Sequence, residues 1–309
     1  MKKIVLLAAA LFLSAAVMSA QDMAQATETY NNGAMALQMG DNNAALEAFQ
    51  QALELGSQCG EEGAELVANC KDIIPKIVLS IGKDLVKAEN FDAAIEQLGK
   101  AAAIASEYGN EEIASEAKAL VPQILMQSAG KYLNAKDFAN AATAYAKVVE
   151  LDPTNGMAQL RLGMAYGALG KTNEAVAAYN AAIENGQENA AKKQLSNMYV
   201  KKAAADLKAK KYDDAIASAL ASNEYLENAT AMKVAGTAAS QLKKNEEAIS
   251  YLEKYLELSP NAKDANQMCY TIAALAQTLG DKEKAKAYYQ KIVSDPKFGE
   301  TAKQQLQSL

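Results

Sequence analysis

Small and apolar residues return along this chain with a helical beat and, over it, a longer one. Seven times a glycine or alanine is followed twelve positions later by an alanine that opens an amphipathic stretch. The second alanine falls at Ala45, Ala94, Ala141, Ala175, Ala215, Ala248 and Ala285. In the clearest copy Leu160, Gly163, Tyr166 and Leu169 recur every three residues, and Ala175, Val176, Tyr179 and Ala182 mark the packing face of the next stretch. Spacings of three and four predict α-helices with one buried stripe. Between them Gly170 supplies a helix end, because a residue without Cβ enters the left-handed region cheaply. Asn173 stands where a side-chain oxygen can cap the second helix, with Asn43, Asp92 and Asp213 at the same offset. Each copy therefore reads as two antiparallel helices joined by a tight turn. A fixed period in a helical sequence predicts a stack in which each pair covers its neighbour's apolar face. Function is then expected on a surface rather than in a single catalytic cleft.

The period is uneven. Successive opening alanines stand 49, 47, 34, 40, 33 and 37 residues apart. The two long intervals are alike internally: Cys70-Lys-Asp-Ile-Ile-Pro75-Lys-Ile-Val parallels Ala117-Lys-Ala-Leu-Val-Pro122-Gln-Ile-Leu. Apolar residues continue through each proline at helical spacing (Leu66, Ile73, Ile77, Ile81; Ile113, Leu120, Ile124). The pattern predicts two repeats with elongated first helices, kinked where proline removes a backbone donor. One competing reading starts a fresh helix at each proline, and it requires a break in regular structure just before.

With these residues in view, the chain resembles the tetratricopeptide repeat family. The likeness rests on a small residue at the eighth place of a unit, an aromatic at the eleventh, alanine at the twentieth, an aromatic at the twenty-fourth and proline at the thirty-second. Gly163, Tyr166, Ala175, Tyr179 and Ala182 carry it in the fourth unit, and Ala129, Tyr132, Ala141, Tyr145 and Pro153 in the third. The fifth unit lacks the aromatic, having Ala219, and the family's usual tryptophan is absent throughout. The resemblance implies an all-α solenoid of about seven helix-turn-helix repeats wound as a right-handed superhelix. It spans residues 21–297, with repeats opening near 26, 61, 109, 156, 190, 229 and 263. Residues 298–309 read as a capping helix, with Phe298, Ala302 and Leu306 inward and Lys303, Gln304 and Gln307 outward.

The ends and the composition narrow the setting. Lys2-Lys3, the apolar run Ile4 to Leu13 and the small residues before Gln21 make residues 1–20 an expected secretory signal. No cysteine stands near the cleavage point, so a lipid anchor there is not expected. The mature chain has no second long apolar run, and a periplasmic or otherwise secreted protein without a transmembrane segment is the expectation. Loss of the signal takes the formal charge from −6 to −8. One arginine, Arg161, and no concentrated basic face argue against nucleic acid. The absence of histidine removes the commonest general base and metal ligand, and every triad that uses it. No phosphate loop, dinucleotide fingerprint or calcium loop is present. Adjacent acids such as Glu61-Glu62 and Glu246-Glu247 read as solvated helix starts. No cofactor, metal site or enzymatic activity is predicted. Cys59 and Cys70 flank a turn-like Gly60-Glu61-Glu62-Gly63, so a bridge is open, as are two independent packed thiols, and Cys269 reads as core.

What remains is a binding surface. The resemblance implies a concave face lined by first helices, at offsets 2, 5, 9, 12 and 13 of each unit. Mapped onto this chain, that face carries lysines in unit two (Lys76, Lys83, Lys87) and methionine and leucine further on (Met126, Met157, Leu160, Met164), and turns polar later. An adaptable apolar patch with a basic rim suits an amphipathic or extended protein segment with acidic flanks. The competing reading makes the methionine stripe inter-repeat core, and solvent exposure of Met157 and Met164 decides between them. The family's clamp for a C-terminal carboxylate needs an asparagine and basic set that this chain lacks. A protein-interaction scaffold of the bacterial cell envelope is the first expectation, and a chaperone-like holder of hydrophobic or unfolded segments the second. Oligomeric state and contact with a membrane surface are left open.

Overall fold

The computed structural model describes residues 22–309, so the expected export signal lies outside the described residues. All regular structure among these residues is helical. The chain divides into two compact units, at Pro153 and Thr154. Unit 1 contains α1 (22–38), α2 (Asn42–Gln58), a short 3-10 turn (Gly60–Gly63), α3 (Ala64–Lys87), α4 (Phe91–Glu107), α5 (Glu111–Asn134) and α6 (Phe138–Leu151). Unit 2 contains α7 (Gly156–Ala168), α8 (Thr172–Ala182), a π-helical turn (Ile183–Gln187), α9 (Glu188–Lys208), α10 (Tyr212–Tyr225), α11 (Ala229–Gln241), α12 (Asn245–Leu258), α13 (Ala265–Thr278), α14 (Lys282–Gln290) and α15 (Gly299–Ser308). Within each unit consecutive helices pack on one another as stacked antiparallel pairs, the α-solenoid arrangement.

The twelve-residue spacing is the seam of each pair. All seven opening alanines are fully buried, and so are the small residues before them. Four residues past the alanine, one turn on, stands the side chain that fills the seam: Phe49, Leu98, Tyr145, Tyr179, Leu252 or Tyr289. A Cβ added at Gly163 would lie 2.7 Å from the Tyr179 ring, and one at Gly236 2.6 Å from Leu252. In unit 1 the same test gives 3.1 Å from Phe49 for Gly33 and 2.9 Å from Leu98 for Gly82. A small residue is thus required because the partner's large side chain lies flat on the helix backbone. Where Ala219 replaces the large residue, α9 and α10 are instead joined by a buried hydroxyl pair, Ser196 Oγ to Ser222 Oγ at 2.9 Å.

The seven turns within pairs are equally regular. Five residues before each alanine one residue is left-handed: Gly40, Glu89, Lys136, Gly170, Lys210, Lys243 and Gly280, with φ between 56° and 79°. At each, the two following-turn amides close back onto the helix, as Gly170 N–H to Gly167 O and Lys171 N–H to Tyr166 O do. This corrects the expected caps. Helix α8 begins at Thr172 with Lys171 at its N-cap, so Asn173 sits inside the first turn. Asp41, Asp137 and Asp281 are the side chains that cap second helices, two residues earlier than expected. Asp92 and Asp213 stand in first turns, where a carboxylate meets the positive end of the helix dipole.

Helices α3 and α5 are each continuous over 24 residues, with Pro75 and Pro122 inside and no break before either. Of the two readings of the long intervals, the elongated first helix is the one the fold adopts. Cys59, Cys70 and Cys269 are buried free thiols. In α15 Ala302 is buried and Lys303, Gln304 and Gln307 are exposed, while Phe298 precedes the helix and stacks on Tyr270 with ring centroids 5.3 Å apart.

Candidate protein-interaction surface

The residues singled out from the sequence fall in different units. Lys76, Lys83 and Lys87 lie on α3 and Met126 on α5, all in unit 1; Met157, Leu160 and Met164 lie on α7 in unit 2. Met157 and Met164 are 39% and 37% exposed. Leu160 is a correction: only 8% exposed, it packs with Tyr179, Ala191 and Leu195 as part of the seam between α7 and α9. It sits at the edge of the exposed stripe, on the side where α9 packs, and the neighbouring helix covers it. Met126 is half-buried.

The expected basic rim is also different in kind. Each of its lysines is held by an acid: Lys76 by Asp72 at 2.7 Å, Lys87 by Asp84 at 2.8 Å, and Lys83 by Glu116 of α5 at 2.6 Å. The Lys87 hydrogen bond, with that from Asn42, holds the Asp84 carboxyl below the usual range. Residues 22–153 carry 20 acids against 9 lysines, and five of those lysines, Lys76, Lys83, Lys87, Lys100 and Lys131, are held in ion pairs.

Unit 2 has the opposite balance, with 17 acids against 20 bases in residues 154–309. Its exposed first-helix stripes are built as follows. On α7, Met157, Arg161, Met164 and Ala168 recur at spacings of four, three and four, which places them in one line along the helix. On α9, Lys193, Asn197, Lys201, Ala204 and Lys208 form the corresponding line, and all five are exposed. Counted from the small seam residues Gly163 and Ala203, Arg161 and Lys201 occupy the same position of consecutive pairs, as do Met157 and Asn197, and Met164 and Ala204. Two equivalent stripes on adjoining helices thus make one face. Among the described residues no acid stands within ion-pair distance of Arg161, Lys193, Lys201 or Lys208.

Their neighbours on α9 show what pairing looks like. Lys192 donates to Glu188 at 2.5 Å, and Lys202 donates to Asp206 at 2.8 Å and Ser218 at 3.0 Å. Those hydrogen bonds pull the Glu188 and Asp206 carboxyls below their ordinary values. Lys193, Lys201 and Lys208 face solvent and Arg161 is half-buried, none of them engaged by an acid, an arrangement that takes up carboxylates. In the sequence Arg161, as the one arginine, argues only against nucleic acid. Its seam-relative position and the charge of each half, rather than of the whole, were the signals that point to it.

A group able to hold a metal is absent among the described residues, and none of their helices is long and apolar enough to cross a membrane.

Sequence models of the tetratricopeptide repeat match residues 131–190 and 200–263, and residues 30–58 and 267–294, together more than half of the chain. Helices α3 and α4 lie outside these segments. No curated protein matches. Among solved structures, a crystal structure of MamA protein is 20% identical with a TM-score of 0.37, over 59% of this chain and 96% of that one. A structure of MamA 41-end from Desulfovibrio magneticus RS-1 is 16% identical with a TM-score of 0.34, over 56% and 93%. The repeat matches, read with the seams and turns above, make this chain a member of the tetratricopeptide repeat family.

Proposed function

We propose that the chain is a non-enzymatic protein-interaction scaffold of the bacterial cell envelope, and that the α7–α9 face of unit 2 binds an acidic protein segment. The observation that carries the reading is Arg161, unpaired between the exposed Met157 and Met164, beside unpaired Lys193, Lys201 and Lys208. Methionine adapts to varied apolar side chains and the arginine fork fixes a carboxylate, so the face suits a segment carrying both. Export by residues 1–20 is part of the same proposal.

The test uses a labelled synthetic peptide of alternating glutamate and leucine, followed by fluorescence anisotropy. Wild-type protein is expected to bind it with salt-sensitive affinity. Arg161→Glu is expected to abolish that binding, and Lys76→Glu on α3 to leave it unchanged. Equal binding of a lysine–leucine peptide, or of unfolded protein generally, would replace this reading with the chaperone-like holder. Fractionation of producing cells, with N-terminal sequencing of the mature protein, tests export: a chain beginning at Met1 in the cytoplasm would refute it.

A further inference from the structure

We infer that the acidic segment taken up by the α7–α9 face is supplied by a second copy of this chain: α1 of one molecule docks on α7 and α9 of another. The inference rests on the proposed function of that face and names its partner. Residues 22–70 contain eight acidic side chains and no lysine or arginine, so the first helix pair is anionic throughout. On α1 the buried line runs through Ala26, Tyr30, Gly33 and Leu37, with Tyr30 edge-on to Phe49 at 5.1 Å. The outer line is Glu28, Asn32, Met35 and Met39, all exposed. Met39 at 81% and Met35 at 59% are the two most exposed large apolar side chains among the described residues. Glu28 has no cation within ion-pair distance among those residues.

The two lines share one helical spacing. Glu28, Asn32, Met35 and Met39 repeat at four, three and four, the spacing of Met157, Arg161, Met164 and Ala168. One line offers a carboxylate and two methionines, the other an arginine and two methionines, with the α9 lysines alongside. Laid parallel with Met35 on Met164, the helices bring their apolar tips together, set Glu28 one helical turn from Arg161 and place the anionic first pair against the cationic α9 line, which gives both contact area and orientation. The contact is heterologous, because each molecule owns one α1 face and one α7–α9 face, so association continues head to tail unless it closes into a ring.

Sedimentation velocity of the mature chain, across a range of protein and salt concentrations, tests this. Wild-type protein is expected to grow with concentration and to dissociate as salt rises. Two variants each remove one face: Met35→Ser with Met39→Ser, and Arg161→Gln with Met164→Ser. All four positions are at least partly exposed, and circular dichroism checks that folding is kept. Each variant alone is expected to associate at least about tenfold more weakly. An equimolar mixture retains one intact pair of faces and is expected to stop at a one-to-one dimer. Association that survives both variants, or a mixture that stays monomeric while wild type associates, overturns the inference. A wild type monomeric throughout that still binds the glutamate–leucine peptide through Arg161 overturns it and leaves the proposed function standing. A wild type that does neither sinks both.

Discussion

Units 1 and 2 are built on one repeat, yet their net charges are opposite in sign, and so is the state of the cations on their first-helix faces. In unit 1 acids outnumber lysines about two to one, and Lys76, Lys83, Lys87, Lys100 and Lys131 all end in ion pairs. In unit 2 bases exceed acids, and the cations left without an ion pair include Arg161 and the outer lysines of α9. Net charge for the whole chain is acidic and hides this division. An exposed ion pair contributes only about 0–1 kcal/mol to stability, so pairing matters here less for folding than for availability. A paired lysine must leave its acid before it can take a ligand's, whereas an unpaired one need not. Seams differ as well, being tighter at Gly163 and Gly236 than at Gly33 and Gly82.

Substitutions can break or sharpen each contrast. The largest effect is expected at the tight seams. Gly163→Leu must displace the Tyr179 ring and is expected to lower stability by about 1–3 kcal/mol in chemical denaturation. Gly99→Ala on α4, where an added Cβ meets nothing within 4 Å, is expected to raise it by about 0.5–1 kcal/mol through helix propensity. Equal melts for wild type and Gly163→Leu would show that the seam yields freely.

Next comes the charge contrast. Lys201→Glu is expected to weaken binding of the acidic peptide about tenfold, roughly 1.4 kcal/mol. Lys83→Glu, which removes a cation already held by Glu116, is expected to leave peptide affinity within error. Comparable losses in both would erase the distinction between free and paired lysines.

Smaller effects are expected at the turns. Lys210→Gly relieves a left-handed lysine at φ 61° and is expected to stabilise by about 0.5–1 kcal/mol, less than the full backbone strain because glycine also loosens the unfolded chain. Glu89→Gly relieves a similar strain but also loses the Lys131 pair at 2.7 Å, so its gain in melting temperature should be smaller. The reverse order would show that the exposed pair is negligible and the turns differ for another reason.

Smallest is a pH effect in unit 2. Asp264 accepts from the Tyr255 hydroxyl at 2.5 Å and from Lys233 at 3.1 Å, and these bonds hold its carboxyl below the ordinary 3.8. A depressed carboxyl stabilises above its unfolded pKa, and that contribution is lost as pH falls through the lower folded value. Asp264→Asn should therefore be less stable than wild type at neutral pH, with the difference fading below about pH 3.8. A difference independent of pH would assign the effect to packing.

Much of this was legible in the chain before folding. Alanines at a fixed distance from small residues mark the seams, because only a small side chain lets a facing ring lie on the backbone. Gly40, Gly170 and Gly280 mark three of the seven turns. The other four were not legible, since Glu89, Lys136, Lys210 and Lys243 carry no glycine signature, and their left-handed backbone follows from the stacking of the pair. Asn173 has good capping chemistry, but the turn geometry starts the helix earlier. Leu160 and Met157 look alike in a hydrophobic pattern, and the one sits in a seam while the other is exposed.

The sequence by itself determined an all-helical repeat, its seam residues and the absence of histidine-based chemistry, because periodicity and composition act locally along the chain. Tertiary structure decided that α3 and α5 run unbroken through their prolines, that Lys76, Lys83 and Lys87 of α3 are paired, and that Arg161 and the outer lysines of α9 are not. Pairing depends on which helices lie side by side, and residues such as Lys83 and Glu116, 33 positions apart, meet only once the pairs have stacked.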